Sequence, residues 1–115
     1  MKKLTTVLIA AGLLVSASAC STQQQLSTQE TCDRVNVAAA GISQNPSQTV
    51  SNRAANAVRP IEAVASDEMK PVVIAIREYL DEKAKKTPDE ARLGELTTGF
   101  QESVAKFGQL CTGGQ

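Results

Sequence analysis

The sequence contains no histidine and no tryptophan, and its 115 residues include only one tyrosine and two phenylalanines. The absence of histidine excludes histidine-based catalytic triads, acid–base relays and metal sites. Because Tyr79, Phe100 and Phe107 are the only aromatic residues, we expect a core rich in alanine and valine. With so few reactive residue types, we predict that the protein is not an enzyme and uses no cofactor and no metal ion.

The sequence also lacks an apolar run long enough to cross a membrane, for which a helix needs about 20 residues. The apolar run at residues 7–15 follows Lys2 and Lys3 and ends in small residues rather than in a charged stop. A basic start, a short apolar centre and a small-residue end are typical of a secretory signal peptide. We therefore interpret residues 1–19 as a signal peptide and exclude them from the fold.

Cys20 directly follows the small residues Ala17, Ser18 and Ala19. Over these first 20 residues the chain resembles a bacterial lipoprotein signal, with Ala17 at the place where leucine is usual. The resemblance implies that the Cys20 thiol receives a diacylglyceryl group. The acylated Cys20 would then anchor the mature chain in the lipid bilayer, on the extracytoplasmic face of the cell membrane.

A second processing route is open at the same bond. Ala17 and Ala19 satisfy the small-x-small rule of the ordinary signal peptidase, which would release a secreted, soluble protein. Three cysteines, Cys20, Cys32 and Cys111, leave one thiol unexplained in an exported chain. Acylation of Cys20 removes that thiol, and Cys32 and Cys111 can then form a disulfide in an oxidising compartment. The alternative for this pair is two free, buried cysteines.

The mature chain is mildly acidic. Removal of Lys2 and Lys3 from 12 basic and 12 acidic residues leaves 10 basic against 12 acidic side chains. A basic surface for nucleic acid is therefore absent, and we predict no nucleic-acid partner. The length allows one small core, and we divide the chain into a lipid anchor and tether (20–26), a helical bundle (27–111) and a C-terminal tail (112–115).

Four helix starts are indicated by capping residues, and no segment alternates with the period of a strand. Ser27 and Glu30 have the Ser-x-x-Glu spacing of a capping box. The predicted N-caps of the four helices are Ser27, Asn45, Ser66 and Thr87. Pro60 lies inside the second helix, so we expect that helix either to end near Val58 or to bend, with a short helix from Pro60 to Ala65.

Each predicted helix carries an apolar stripe with residues three and four apart. The stripes are Cys32, Val35, Ala39 and Ile42; Val50, Ala54, Ala57, Val58, Ile61 and Val64; Val72, Val73, Ile76, Leu80 and Ala84; and Leu93, Leu96, Phe100, Val104, Phe107 and Cys111. Four such helices with short connections predict an all-α fold, a small four-helix up-down bundle.

The two downstream cysteines agree with this topology. Cys32 is near the start of helix 1 and Cys111 at the end of helix 4, and these ends meet when the number of antiparallel helices is even. We therefore predict one disulfide that joins the start of helix 1 to the end of helix 4. The tether, the disulfide and the turn at 66–69 then share the membrane-proximal end, while the turns at 41–45 and 85–88 point away.

Charged residues on helix 3 are the remaining candidates for chemistry. Glu78 and Glu82 are four residues apart with Asp81 beside them, and a close pair of these carboxylates could act as acid and base or bind a hard cation. Helical spacing instead favours weak ion pairs of Glu78 and Asp81 with Lys85, and of Glu82 with Lys86. The neighbouring Lys83, Lys85 and Lys86 could contact an anionic surface such as a cell-wall polymer, although the helix dipole already favours cations at this end.

These observations lead to one function hypothesis and two alternatives. The leading hypothesis is a membrane-anchored, extracytoplasmic lipoprotein that acts as a non-enzymatic binding or structural module in the bacterial cell envelope, with an envelope protein or a cell-wall polymer as its partner. The alternatives are a secreted, soluble helical protein and a carrier with a small-ligand pocket in the bundle core. A core packed shut by alanine and valine would exclude the carrier.

Overall fold

The structure is a computed structural model, and it describes residues 24–42 and 45–112. The predicted signal peptide, Cys20 and the last three residues of the predicted tail lie outside the described residues. Within the described ranges the chain forms four α-helices and no strand: α1, Thr28–Ala38; α2, Gln48–Val64; α3, Lys70–Lys83; and α4, Glu90–Thr112. The prediction of an all-α, four-helix fold is confirmed.

The start of α1 is the predicted capping box. The Ser27 hydroxyl accepts a hydrogen bond from the Glu30 backbone N–H at 3.1 Å, and the Glu30 carboxylate accepts one from the Ser27 N–H at 3.0 Å. Each contact satisfies an amide that the helix leaves unpaired. Beyond the end of α1, Gly41 has a φ of 87°, which glycine adopts at little steric cost, and the chain turns towards α2.

The predicted N-caps of the second and fourth helices are wrong by two residues. The hydroxyl of Ser47, and not Asn45, accepts a first-turn backbone N–H of α2 at 3.2 Å. The carboxylate of Asp89, and not Thr87, accepts two first-turn N–H groups of α4 at 3.0 and 3.2 Å. In both places a proline separates the predicted cap from the observed one, and both residues are good caps.

The predicted cap at Ser66 holds the turn that leads into α3. The Ser66 hydroxyl accepts a hydrogen bond from the Met69 N–H at 3.3 Å, and the Ser66 carbonyl oxygen accepts one from the Lys70 N–H at 2.9 Å. Pro71 lies in the first turn of α3, where its missing N–H has no helical partner to lose. The helix itself begins at Lys70 with Met69 as its N-cap, so the predicted N-cap is wrong by three residues, although Ser66 holds the turn before the helix.

The second helix runs through Pro60 to Val64, so of the two alternatives predicted for it the end near Val58 is wrong. A proline inside a helix removes one backbone hydrogen bond and crowds the preceding turn, at a cost of about 3 kcal/mol. Val58 and Ile61 flank Pro60 and are 0% and 6% exposed. We infer that burial of this face offsets the cost of the proline.

The core is formed mainly by α2 and α3, with smaller contributions from α1 and α4. Its buried apolar residues are Cys32, Val35, Ala54, Ala55, Val58, Ile61, Ala65, Met69, Val72, Val73, Ile76, Tyr79, Leu80 and Cys111. The Tyr79 ring stacks on the Phe100 ring with the centroids 4.3 Å apart. Of the predicted α4 stripe only Cys111 is buried, and Val104 is 47% exposed. The fourth helix therefore covers the core without closing it.

Pairs of residues across the helices establish the up-down topology. Arg59 of α2 faces Asp81 of α3, and Glu62 faces Arg77, so residue numbers rise along one helix as they fall along the other. The Cys32–Cys111 disulfide joins the start of α1 to the end of α4, with the two Cα atoms 5.7 Å apart. The predicted bundle and its disulfide are confirmed.

We expect the double variant Cys32→Ser/Cys111→Ser to lower the free energy of unfolding by about 4.5 kcal/mol, the value that the chain-entropy model gives for a loop of this length. The disulfide spans 79 residues and so restricts most of the unfolded bundle. Urea unfolding followed by circular dichroism measures the change. The Cys20→Ser variant is the control, because it keeps the disulfide. A double variant that unfolds at the parent's urea midpoint would contradict the prediction.

Candidate functional site

One end of the bundle fixes the path of the chain into α1. We call it the disulfide end and define it as residues 24–32, 64–69 and 111. The Leu26 backbone N–H donates to the Val64 carbonyl oxygen at 2.7 Å. The Gln25 side-chain amide donates to the Ala65 carbonyl oxygen at 3.1 Å and to the Asp67 carboxylate at 3.0 Å. Gln25 and Leu26, which the sequence places in the tether, are therefore attached to the turn between α2 and α3.

Two threonines of α1 extend this polar contact into the protein. The Thr28 hydroxyl lies 3.1 Å from the Ser66 hydroxyl and donates to the Glu68 carboxylate at 3.3 Å. The Thr31 hydroxyl is fully buried, accepts a hydrogen bond from the Ser66 N–H at 3.2 Å and donates to the Ser27 carbonyl oxygen at 2.8 Å. The first turn of α1 is thus tied to the α2–α3 turn, which agrees with the predicted grouping of these segments.

An ion-pair network links α2 and α3 on the side of the bundle. Arg77 contacts the Glu62 carboxylate, and its guanidinium donates to Asp81 at 2.8 Å. Arg59 also donates to Asp81, at 2.6 Å. The hydrogen bonds to Glu62 and then Asp81 raise the pKa of Arg77, so this side chain stays charged. The predicted pairing of Asp81 with Lys85 is wrong, because two arginines occupy both oxygens of the Asp81 carboxylate.

Glu82 is buried, which the prediction of a solvated face did not anticipate. Its side chain is 2% exposed and pairs with Lys85 at 2.5 Å, not with Lys86 as predicted. The second carboxylate oxygen accepts the Asp89 backbone N–H at 3.2 Å, just before α4 begins. The hydrogen bond from Lys85, with that from Asp89, lowers the pKa of Glu82. The carboxylate therefore holds the α3–α4 turn as an anion.

The lysines near the end of α3 are partly engaged within the protein. The Lys83 ammonium donates to the Asn45 side-chain oxygen at 2.6 Å, which connects the end of α3 to the chain before α2. Lys85 pairs with Glu82. Two of the three lysines considered for an anionic surface thus stabilise the turns at this end. No group of three or more potential metal-binding side chains occurs among residues 24–42 and 45–112.

An apolar groove lies between α1, α3 and α4, with a cavity volume of about 270 Å³. We define the apolar groove by its lining: Val35, Asn36, Ala39, Ile42, Ile76, Phe100, Val104 and Phe107. Val35 and Ile76 are buried, whereas Val104 is half-exposed. Sequence periodicity placed most of these residues in the core, but it did not reveal the space left between them.

Comparison of the chain with protein-family models, with curated proteins and with solved structures finds no match. In the described part of the chain, no helix combines the length and the apolar character needed to span a membrane. The candidate sites therefore rest on the geometry of the chain's own residues.

We expect Thr31→Val to reduce the free energy of unfolding by about 1–3 kcal/mol, because the buried Ser66 N–H loses its acceptor and valine offers none. Thr28→Val is the matched control, since the exposed Glu68 carboxylate can bind water instead and the Ser66 hydroxyl keeps its hydrogen bond from the Met69 N–H. This variant should cost less than about 0.5 kcal/mol. Urea unfolding measures both variants. Equal losses for the two substitutions would contradict the role assigned to Thr31.

We expect Glu82→Gln to weaken the pH dependence of stability. Because the pKa of Glu82 is lower in the folded chain, its stabilising contribution is complete above the unfolded-state value of about 4.3 and is lost as the pH falls through the folded value. Thermal unfolding measured from pH 7 down to about pH 2 should show a smaller loss in Glu82→Gln than in the parent. Glu78→Gln, on the same helix, is the control for the loss of one carboxylate. An unchanged profile for Glu82→Gln would refute the prediction.

Proposed function

We propose that the mature chain is a lipid-anchored, extracytoplasmic module of the bacterial cell envelope with a non-enzymatic binding or structural role. The observation that carries the proposal is the sequence Ala17-Ser18-Ala19-Cys20 at the end of a signal-like leader. The partners are the lipid bilayer, through acylated Cys20, and an envelope protein or a cell-wall polymer.

The attachment of residues 25–26 supports a close approach of the bundle to the bilayer. Four residue steps separate Cys20 from Gln24, where the described chain begins, and they span at most about 14 Å when fully extended. Gln25 and Leu26 are held by the α2–α3 turn. In the proposed orientation the disulfide end faces the membrane, and the turns before α2 and α4 face away from it.

The use of charged side chains supports a binding or structural role. Two of the carboxylates considered for acid–base catalysis are engaged within the protein. Asp81 forms ion pairs with Arg59 and Arg77. Glu82 forms an ion pair with Lys85 and accepts a hydrogen bond from the backbone just before α4. Each of these two carboxylates thus stabilises a contact between helices or a turn. A bundle that is held together by such contacts and by a disulfide presents a rigid surface to a partner.

We expect the native protein, expressed in a bacterial host, to carry the mass of a diacylglyceryl group on Cys20 and to enter the detergent phase on phase partitioning. Intact mass spectrometry of the reduced and unreduced protein reads acylation and thiol state together. Cys20→Ser should move to the aqueous phase, while the control Ser18→Ala, which keeps a small residue before Cys20, should behave like the parent. If the parent protein lacks the added mass and partitions into the aqueous phase, the secreted alternative is supported and the lipid anchor is refuted.

The binding role needs a separate test. Chemical crosslinking of intact envelopes, followed by purification of the acylated protein, should recover a defined partner. The control is the same purification after crosslinking of envelopes that hold Cys20→Ser, in which the bundle is not held at the membrane. If the same proteins are recovered from both samples, the result counts against an envelope partner.

A further inference from the structure

The apolar groove is a concave site on the side of the bundle. Val35 of α1 and Ile76 of α3 form its buried floor, at 2% and 5% exposure, and Phe100 and Phe107 of α4 pack partly buried beside them. Val35 is one turn after Cys32, and Phe107 one turn before Cys111, so the disulfide lies one helical turn from the lining of the groove. The cavity is therefore held open by three helices whose spacing is fixed covalently at one end.

The lining determines which charge the groove accepts. Seven of the eight lining residues are apolar and the eighth is Asn36, so no charged side chain faces the space. A charged group placed among the apolar lining would lose its hydration without gaining a counter-charge, which costs several kcal/mol. The Asn36 amide can donate and accept hydrogen bonds, and it suits a single hydroxyl or carbonyl group. The chemistry fits an uncharged, apolar molecule with one polar group.

The volume limits the size of the occupant. An apolar protein cavity of about 150 Å³ holds benzene, and drug-sized ligands occupy pockets of about 300–1,000 Å³. At about 270 Å³ the apolar groove lies between these values. It therefore suits a molecule of about two fused rings.

The exposed surface argues against a protein as the occupant. A stable protein interface buries about 800 Å² on each partner and has an apolar centre. Val37 and Val104 are the large apolar side chains that the described residues leave exposed, at 79% and 47%. Val104 lines the apolar groove, whereas Val37 lines a shallow depression between α1 and α2. The two residues do not form one apolar patch, so a small molecule fits the groove better than a second copy or a partner helix.

We propose that the apolar groove binds a free, uncharged apolar molecule of about two fused rings with a single hydrogen-bonding group, which contacts Asn36. The proposal concerns a site in the folded bundle and does not depend on acylation of Cys20.

The probe is 2-naphthol, which is uncharged at neutral pH and carries one hydroxyl group. It is titrated into the full chain with Cys20→Ser, so that no acyl group competes for the groove. We expect amide chemical shifts in ¹⁵N NMR spectra to change at Asn36, Ala39 and Val104. Naphthalene-2-sulfonate has the same rings with a negative charge, and we expect it to bind at least about tenfold more weakly.

Two variants and a matched control locate the site. Ala39→Leu should fill the groove and weaken 2-naphthol binding at least about tenfold, whereas Ala40→Leu, at the exposed neighbouring position, should bind like the parent. Val104→Phe enlarges a half-exposed lining residue of the groove and should weaken 2-naphthol binding in the same way. Thermal unfolding of each variant verifies the fold.

Three results would overturn the proposal. The first is an absence of shifts at the lining residues up to millimolar 2-naphthol. The second is equal binding of the sulfonate, which would contradict the charge argument. The third is a concentration-dependent increase in mass by analytical ultracentrifugation that Val104→Phe removes, because it would identify a second copy of the chain as the occupant.

Discussion

The Cys32–Cys111 disulfide is the constraint on which the position of the first helix depends. α1 has 11 residues against 23 in α4, and an isolated helix of that length is marginal in water. Its buried apolar residues are Cys32 and Val35, so packing alone gives it little support. The covalent link brings α1 to the end of α4 and closes a core whose larger part is formed by α2 and α3.

Polar contacts then determine the path of the chain into the disulfide end. Thr31 is buried and joins α1 to the backbone of Ser66, and Gln25 and Leu26 continue the contact to the end of α2. At the opposite end, Glu82 connects α3 to the start of α4, and Lys83 reaches Asn45. Both ends of a small core are thus held by specific hydrogen bonds, which supplement limited apolar burial.

The helical pattern could be predicted because it depends on local spacing, and the disulfide because it depends on the number of antiparallel helices. Apolar residues three and four apart identify the helices, and an even number of helices brings Cys32 and Cys111 together. The helix starts near Asn45 and Thr87 could not be resolved, because a second good cap follows two residues later. The ion-pair partner of Glu82 could not be predicted, because Lys85 and Lys86 are equally plausible partners on helical spacing. Its burial could not be predicted either, because the Asp89 backbone approaches Glu82 only through the tertiary fold.

The apolar groove shows why equal periodicity does not mean equal burial. The stripes of helix 1 and helix 4 look alike in sequence, but α1 ends at Ala38, before the last stripe residues Ala39 and Ile42. A helix half as long as α4 covers only part of it, so Val104 stays half-exposed and a cavity forms. Helix length, which depends on tertiary packing as much as on capping, determines this feature.

The most direct test of the proposed orientation is the distance of two matched positions from the bilayer. Lys70 lies at the start of α3 and Lys86 just beyond its end, and a helix of 14 residues separates them by about 21 Å. A fluorescent residue is placed at either position in the acylated protein, and energy transfer to acceptor lipids in vesicles is measured. The account predicts efficient transfer from position 70 and weak transfer from position 86. Equal transfer, or stronger transfer from position 86, would contradict it.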